Sequence, residues 1–171
     1  VDESSRQVLA KGEAGILEFR GPNIFPGYLD RPDLTEKVVQ DGWYHSADYG
    51  RLDAEGFLFI EGRRARFSKI GGEMVPHGVV EEHLVAWRKR CGQGGDSGFE
   101  VMVTAVEDEK KGEALVVLHT VDFDPAEAEK ALREAELPNL WIPRKFKRVE
   151  KIPMLASGKL DLAAARKMAQ S

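Results

Sequence analysis

The alternation of apolar and polar residues predicts that the first part of the chain consists of short strands and frequent turns. Glu13–Arg20 has the apolar content of a strand, and Phe57–Glu61 alternates clearly. Asp41–Tyr44 and Asp53–Phe57 each have the composition of a turn that leads into a strand. Between them, Pro32–Lys37 predicts a short helical turn. We therefore expect a β-rich segment over residues 1–64.

The pattern changes after Gly62. Arg66–Ile70 and Glu73–Val75 flank Gly71-Gly72, which predicts a tight β-hairpin because the two glycines tolerate positive φ. Pro76 suits the first turn of a helix running to about Arg90. One apolar stripe at i, i+4 and i+7 gives this helix a core-facing side: Val80, Leu84 and Trp87.

The rest of the chain predicts three further strands and two helices. The strands are Phe99–Val106, Glu113–Val121 and Lys145–Val149. One helix opens at Asp124 as N-cap with Pro125 at the first helical position and runs to about Glu136, and the other covers Asp161–Ala169. This order predicts a small α+β domain over residues 65–171, with a three-stranded sheet, a β-hairpin and packed helices.

Composition is that of an ordinary soluble globular protein. The chain has 171 residues, is 42% hydrophobic and carries a net charge of −4. No apolar run approaches a membrane span, and a single cysteine, Cys91, excludes an internal disulfide framework and fits a cytoplasmic location. A location at the inner face of a membrane is an alternative for the parent protein. The chain begins at Val1 without an initiator methionine, so we expect a piece of a longer protein.

Charge is concentrated near the C-terminus. Residues 144–151 form a basic strip that contains a single acidic residue, Glu150. Its basic residues are Arg144, Lys145, Lys147, Arg148 and Lys151. It has two interpretations: a solvated strand edge that discourages aggregation, or a docking surface for an acidic partner. Nucleic acid is not expected, because aromatic residues are few nearby and the whole chain is acidic.

Three glycine- or turn-containing motifs carry candidate chemistry, in a fixed order. They are Trp43-Tyr44-His45-Ser46-Ala47-Asp48, the run from Gly62-Arg63 to Gly72-Glu73, and Pro153–Leu160 with Ser157-Gly158-Lys159. Each alone is weak, since turn aspartates and surface lysines are common. Together they resemble the closing motifs of the adenylate-forming synthetases, the superfamily of acyl-CoA ligases, peptide synthetases and luciferases.

The resemblance implies a role for each matched polar residue. Asp48 matches the acceptor of the ribose hydroxyls, and Arg63 matches an arginine near the phosphate and ribose of the nucleotide. Lys159 matches the catalytic lysine that bridges the acyl carboxylate and the α-phosphate during adenylation. The implied cofactor is ATP or AMP with Mg²⁺ in the full-length parent. His77 and His83 fall on different faces of one predicted helix, so we expect no metal site there.

Other matched positions concern the second half-reaction. Ala65 stands where the family has the Asp or Lys pivot of a domain rotation, so it is the predicted hinge. Lys69 matches a residue that enters the active site in the second conformation in some relatives. Gly72 matches a glycine that lines the tunnel for the pantetheine arm. Many relatives have Arg two residues after that glycine, where this chain has Met74.

The detailed sequence resembles one branch, the acyl-acyl carrier protein synthetase half of the bifunctional 2-acylglycerophosphoethanolamine acyltransferases. The resembling runs are Arg66–Val75, Lys111–Val116 and Pro153–Lys159. The resemblance implies that residues 1–64 are the C-terminal end of a large adenylation domain and that residues 65–171 are the C-terminal lid domain. The implied partners are a fatty acid, holo-acyl carrier protein and the rest of the adenylation domain, and we expect the piece to be inactive alone. An ordinary acyl-CoA ligase, a peptide-synthetase domain and a non-catalytic docking module are the alternatives.

Overall fold

The structure, a computed structural model, describes residues 1–91 and 100–171. They form two compact units, Val1–Ala65 and Arg66–Ser171. Phe99, predicted as the first residue of a strand, lies outside the described residues. In the described ranges, no helix has the length and apolar character that crossing a membrane requires.

The first unit is an antiparallel sheet arranged around one long strand. β1 (Gly15–Phe19), β2 (Val39–Gln40) and β4 (Leu58–Arg63) all pair with β3 (Trp43–Leu52). The short helix α1 (Pro32–Val38) precedes β2, with its proline in the first turn, where a backbone N–H is not needed. The predicted β-rich character of this part is confirmed.

The edge strand β4 carries apolar side chains that the first unit leaves open to solvent. Phe57 is 68% exposed, Leu58 42%, Phe59 44% and Ile60 65%. The alternation correctly predicted a strand, but both of its faces are exposed within this unit. A contiguous apolar surface of this kind is typical of a contact region.

The second unit is an α+β domain, as predicted. Its sheet has the order β7–β8–β9, in which β7 and β8 are antiparallel and β8 and β9 are parallel. In chain order its elements are β5 (Phe67–Ile70), β6 (Glu73–Pro76), α2 (His77–Arg90), β7 (Val101–Asp108), β8 (Gly112–His119), α3 (Pro125–Glu134), β9 (Lys145–Arg148) and α4 (Leu162–Gln170).

The sheet of the second unit separates two apolar clusters, because alternate residues of β8 point to opposite faces. Leu115 and Val117 join the cluster of α2, α3 and the hairpin, whereas Val116 and Leu118 join that of α4. The predicted stripe on α2 is buried, which confirms it: Val80, Leu84 and Trp87.

Helix ends lie within one or two residues of the predicted positions. The carboxylate of Asp124 accepts a 2.9 Å hydrogen bond from the amide of Ala126, which confirms the N-cap of α3. This helix ends at Glu134, two residues before the predicted Glu136, because Glu136 adopts a left-handed φ of 59° and leaves the helix.

A buried Ser–His pair joins the hairpin to α2. The Oγ of Ser68 lies 2.8 Å from Nε2 of His77, and both residues are almost fully buried. Burial lowers the pKa of His77 to about 3, and the positive charges of Arg66 and Arg166 add to this effect. The imidazole is therefore neutral in the folded protein at neutral pH.

This pair predicts acid sensitivity of the second unit. His77 titrates near 6.5 when unfolded and about 3 when folded, so the unfolded chain binds more protons below pH 6.5. Stability should be constant above that pH and should fall as the pH drops toward 3, by about 2 kcal/mol at pH 5. Urea unfolding of the 171-residue chain at pH 7 and 5 measures this.

Two variants test the assignment to His77. His77→Gln should remove this part of the pH dependence. Ser68→Ala deletes the hydrogen bond but keeps the buried imidazole, so it should lower stability at both pH values and retain the slope. An unchanged slope in His77→Gln would assign the acid sensitivity to other groups.

Candidate functional site

Two of the predicted nucleotide contacts lie together in the first unit. Asp48 on β3 is the cross-strand neighbour of Arg63 on β4, and Nε of Arg63 lies 3.0 Å from Oδ1 of Asp48. Asp48 lies inside β3, which continues to Leu52 because β4 pairs with it as far as that residue. The carboxylate is partly shielded, whereas the Arg63 side chain is 65% exposed.

Ser46 fixes the backbone next to this pair, a role that the sequence did not indicate. Its buried hydroxyl donates to the carbonyl of Leu17 at 2.8 Å and accepts from the amide of Asp48 at 3.1 Å. The hydroxyl thus links β3 to β1 beside the carboxylate. The signal available in the sequence was a hydroxyl two residues before a candidate site carboxylate.

The Asp48–Arg63 pair can accept and donate hydrogen bonds at the same time. A carboxylate has about four lone-pair positions and a guanidinium has five N–H donors, and the ion pair uses a small part of each. Paired hydroxyls and phosphate oxygens are groups that such a pair can bind. The nucleotide roles of Asp48 and Arg63 stay predictions.

The predicted hairpin is confirmed, and it carries Lys69 and Gly72 on one exposed tip. Gly71 and Gly72 have φ of 59° and 92°, so both central residues of the turn are left-handed. A Cβ added at Gly72 would have no atom within 4 Å, which means that the space in front of this glycine is open. The ammonium of Lys69 makes no ion pair in the described part of the chain.

The hairpin tip is tied to the turn between β7 and β8. The amide of Gly71 donates to the carbonyl of Lys111 at 2.9 Å, and the amide of Lys69 donates to the carboxylate of Glu113 at 2.7 Å. The tip is therefore held by hydrogen bonds on one side and open on the other.

Lys159 lies on a closed loop of the second unit. The amide of Leu155 donates to the carbonyl of Lys159 at 2.7 Å, and the next pair outward, Met154 and Leu160, forms an isolated β-bridge. Gly158 takes a φ of 77° inside the loop, which favours glycine. The loop fixes the backbone of Lys159 and leaves its side chain exposed.

The last helix supports this loop. Asp161 accepts from the amide of Ala164 at 2.9 Å as the N-cap of α4, and its own amide donates to the carbonyl of Pro153 at 2.9 Å. Both ends of the lysine loop are thus connected to ordered structure. Lys159 and the Gly72 hairpin belong to the second unit, while Asp48 and Arg63 belong to the first.

The basic strip is smaller than predicted. Lys147 donates to the carbonyl of Met168 and to the hydroxyl of Ser171, both at 2.9 Å, because the last carbonyls of α4 need donors. Arg148 pairs with Asp122 at 3.0 Å. β9 is an edge of the sheet, and both interpretations of the strip stay predictions. Three of its exposed cations make no ion pair among the described residues: Arg144, Lys145 and Lys151.

A cleft of about 260 Å³ adjoins the hairpin tip and contains two of these cations. Its floor is apolar and its rim is charged, with the cations Lys110, Lys111, Arg144 and Lys145 and the carboxylates Glu107, Asp108 and Glu113. Hydrogen bonds from the amides of Lys110 and Lys111 hold the pKa of Asp108 below its ordinary value. From the sequence, the turn between β7 and β8, which contains Lys110 and Lys111, was expected only to connect two strands.

Among the described residues, no three His, Cys, Asp or Glu side chains form a group that could hold a metal ion.

Ala65, the predicted hinge, is exposed in a one-turn 3-10 helix, Arg64–Arg66, and is the last residue of the first unit.

Comparisons with known proteins agree with this fold. Residues 99–159 match the AMP-binding enzyme C-terminal domain. The chain is 32% identical over 161 residues to a 2-succinylbenzoate–CoA ligase of a Geobacillus species, covering 92% of this chain and 31% of that protein. It is 31% identical over 175 residues to the medium-chain fatty-acid–CoA ligase of Escherichia coli, covering 98% of this chain and 29% of that protein.

The chain is also similar in structure to a solved CoA synthetase. The o-succinylbenzoate CoA synthetase of Bacillus subtilis, in complex with its acyl-adenylate intermediate, superimposes with a TM-score of 0.73 at 30% identity, covering 93% of this chain and 31% of that one. The chain thus spans about a third of the length of the relatives it matches.

The fold and the matched residues define a C-terminal domain of the AMP-binding enzyme type. The chain contains an AMP-binding enzyme C-terminal domain and belongs to the adenylate-forming superfamily, which includes the acyl-CoA ligases.

Proposed function

We propose that this chain acts as the C-terminal part of an ATP-dependent carboxylate ligase. In the first half-reaction the carboxylate attacks the α-phosphorus of ATP, which gives acyl-AMP and pyrophosphate. In the second, a pantetheine thiol loses its proton and attacks the acyl carbon, so that a thioester forms and AMP leaves. The substrate that we propose is a fatty acid, by analogy with the fatty-acid–CoA ligases among the relatives.

The observation that carries the proposal is the set of exposed groups on three ordered supports. They are the Asp48–Arg63 pair, the Gly72 hairpin and the Lys159 loop. Each is fixed by strand pairing or backbone hydrogen bonds and presents free donors, free acceptors or open space. A non-catalytic docking module has no need for a lysine held in this way.

The acceptor of the acyl group has two candidates. Coenzyme A is supported by the CoA ligases among the relatives and by the four cations on the mixed-charge rim of the cleft beside the hairpin, since its phosphates are anionic. Holo-acyl carrier protein is supported by the exposed cations at the β9 edge, because strongly acidic proteins are steered to such surfaces.

One experiment tests both the activity and the acceptor. The full-length protein that contains this chain should exchange pyrophosphate into ATP when a fatty acid is present, and should release AMP when an acceptor is added. Transfer rates to coenzyme A and to holo-acyl carrier protein are measured side by side. Lys145→Ala together with Lys151→Ala should slow transfer to the carrier protein several-fold at low salt.

The outcomes separate the candidates. If pyrophosphate exchange into ATP does not depend on the fatty acid, the proposed function is wrong. Transfer to coenzyme A alone would contradict the carrier-protein candidate, and equal salt dependence of the two transfers would contradict steering by the β9 edge.

A further inference from the structure

The residue that follows the predicted hinge is clamped to the second unit. One terminal nitrogen of Arg66 pairs with the carboxylate of Glu81 on α2, and the other donates to the carbonyl of Val103 on β7 at 3.2 Å. The second oxygen of Glu81 accepts from the amide of Val103 at 2.6 Å. The four groups form a closed ring of contacts that links the start of the unit to α2 and β7.

The clamp is shielded from solvent. The Arg66 side chain is 20% exposed and that of Glu81 is 18% exposed. Partial burial, two partners for the guanidinium and two for the carboxylate make this ion pair more persistent than a surface pair. The first residue of the second unit is therefore fixed to the body of that unit.

The residues before the hinge are anchored in the first unit. Arg63 ends β4 and pairs with Asp48, and Arg64 forms an ion pair with Glu3. Between these anchors lies Ala65, which is exposed and has no polar side-chain group. The backbone that can change direction without breaking a side-chain anchor is thus restricted to the junction at Ala65.

We propose that Arg66 and Glu81 are positioning residues whose ion pair confines the change of orientation between the two half-reactions to Ala65. This rests on the proposed function, because it assumes that the second unit takes up two orientations. With the clamp intact, a turn at one residue carries Lys159 and Gly72 as parts of a rigid body. Without it, Arg66 is no longer held to the body of the unit, so the change of direction can spread from Ala65 to Arg66, and the two productive orientations become smaller fractions of the ensemble.

The variants Arg66→Gln and Glu81→Gln test this in the full-length ligase. Glutamine at position 81 still accepts a hydrogen bond from Val103, so the fold keeps that contact and loses the charge pair. We expect both half-reactions to fall together by about tenfold in each variant, and the double variant to be no worse than either single one. Arg66→Lys, which keeps the charge, should recover part of the rate.

A control ion pair and an exchange measurement exclude a general loss of stability. Arg51 and Glu61 form a more exposed ion pair in the first unit, at 3.1 Å, so Arg51→Gln is the control for losing an arginine ion pair outside the clamp and should leave both rates within about twofold. In the isolated chain, Arg66→Gln should speed hydrogen exchange at the amides of residue 66 and Phe67 more than at the core strand β8.

The two levels of the hypothesis fail differently. If the full-length protein shows no pyrophosphate exchange that depends on the fatty acid, the proposed function is wrong. If the parent is active but Arg66→Gln behaves like Arg51→Gln in rate and in hydrogen exchange, the clamp has no positioning role. Uniformly faster exchange throughout the second unit would also overturn the inference, because it would indicate a structural role alone.

Discussion

Replacing Lys159 by alanine in the full-length ligase is expected to slow adenylation by about 10²–10³-fold or more, while transfer from preformed acyl-AMP is spared. In the role that the resemblance implies for Lys159, its charge is needed while negative charge develops on the pentacoordinate phosphorus. Once the mixed anhydride exists, the thiol attacks the acyl carbon and this charge no longer has that role. Pyrophosphate exchange and single-turnover transfer measure the two steps separately.

The loop geometry is the reason to expect so large an effect from one exposed side chain. The backbone of Lys159 is fixed by the bond to Leu155, by the bridge between Met154 and Leu160, and by the Asp161 cap that follows. A group on a preorganised support stabilises a transition state without reorganising first. Lys159→Arg should recover little, because a planar guanidinium does not replace a point charge.

Lys151→Ala is the matched control for this prediction. Lys151 is also exposed and belongs to the same connection between β9 and α4. Its removal lowers the local positive charge equally and should leave pyrophosphate exchange nearly unchanged. Exchange within tenfold of the unmutated enzyme in Lys159→Ala would contradict the catalytic assignment.

Gly72→Leu is expected to abolish most of the thiol transfer and to leave adenylation nearly intact. The space in front of Gly72 is open, so a leucine side chain would fill it rather than pack into the core. If a pantetheine arm crosses that space, the isobutyl group blocks it. Acyl transfer and pyrophosphate exchange on the same folded preparation give the two rates.

Backbone strain is the competing effect, and the chain provides a control for it. Gly56 has the same φ of 92° and also has no atom within 4 Å of an added Cβ, but it lies in the turn before β4. Gly56→Leu should therefore carry a similar strain cost, about 1–3 kcal/mol, without blocking the hairpin. Equal losses of both half-reactions in Gly72→Leu would assign the glycine to the turn alone.

The features that the sequence predicted well are those encoded locally. The Gly71-Gly72 turn, the Asp124 cap and the apolar stripe of α2 each depend on neighbouring residues, and each is present as predicted. The α+β class of the second unit followed from their order.

The features that the sequence did not predict depend on contacts between distant segments. Asp48 lies inside a strand because β4 pairs with β3 far beyond it. Lys147 caps a helix that lies after it in the chain, so counting charges overestimated the basic strip. The Arg66–Glu81 clamp joins two residues whose spacing has no periodic signal. Only the folded chain brings such groups together.

The contact between Asp48 and Arg63 makes each residue an internal competitor for the other's ligand. The 3.0 Å contact occupies one guanidinium nitrogen and one carboxylate oxygen, so a nucleotide that uses those two atoms must displace the ion pair, and that part of the affinity is already used within the protein. The same exchange works in reverse when the product leaves, because the two side chains can pair again instead of remaining as separate charges. For the proposed enzyme, this arrangement favours rapid turnover of AMP over tight retention of it.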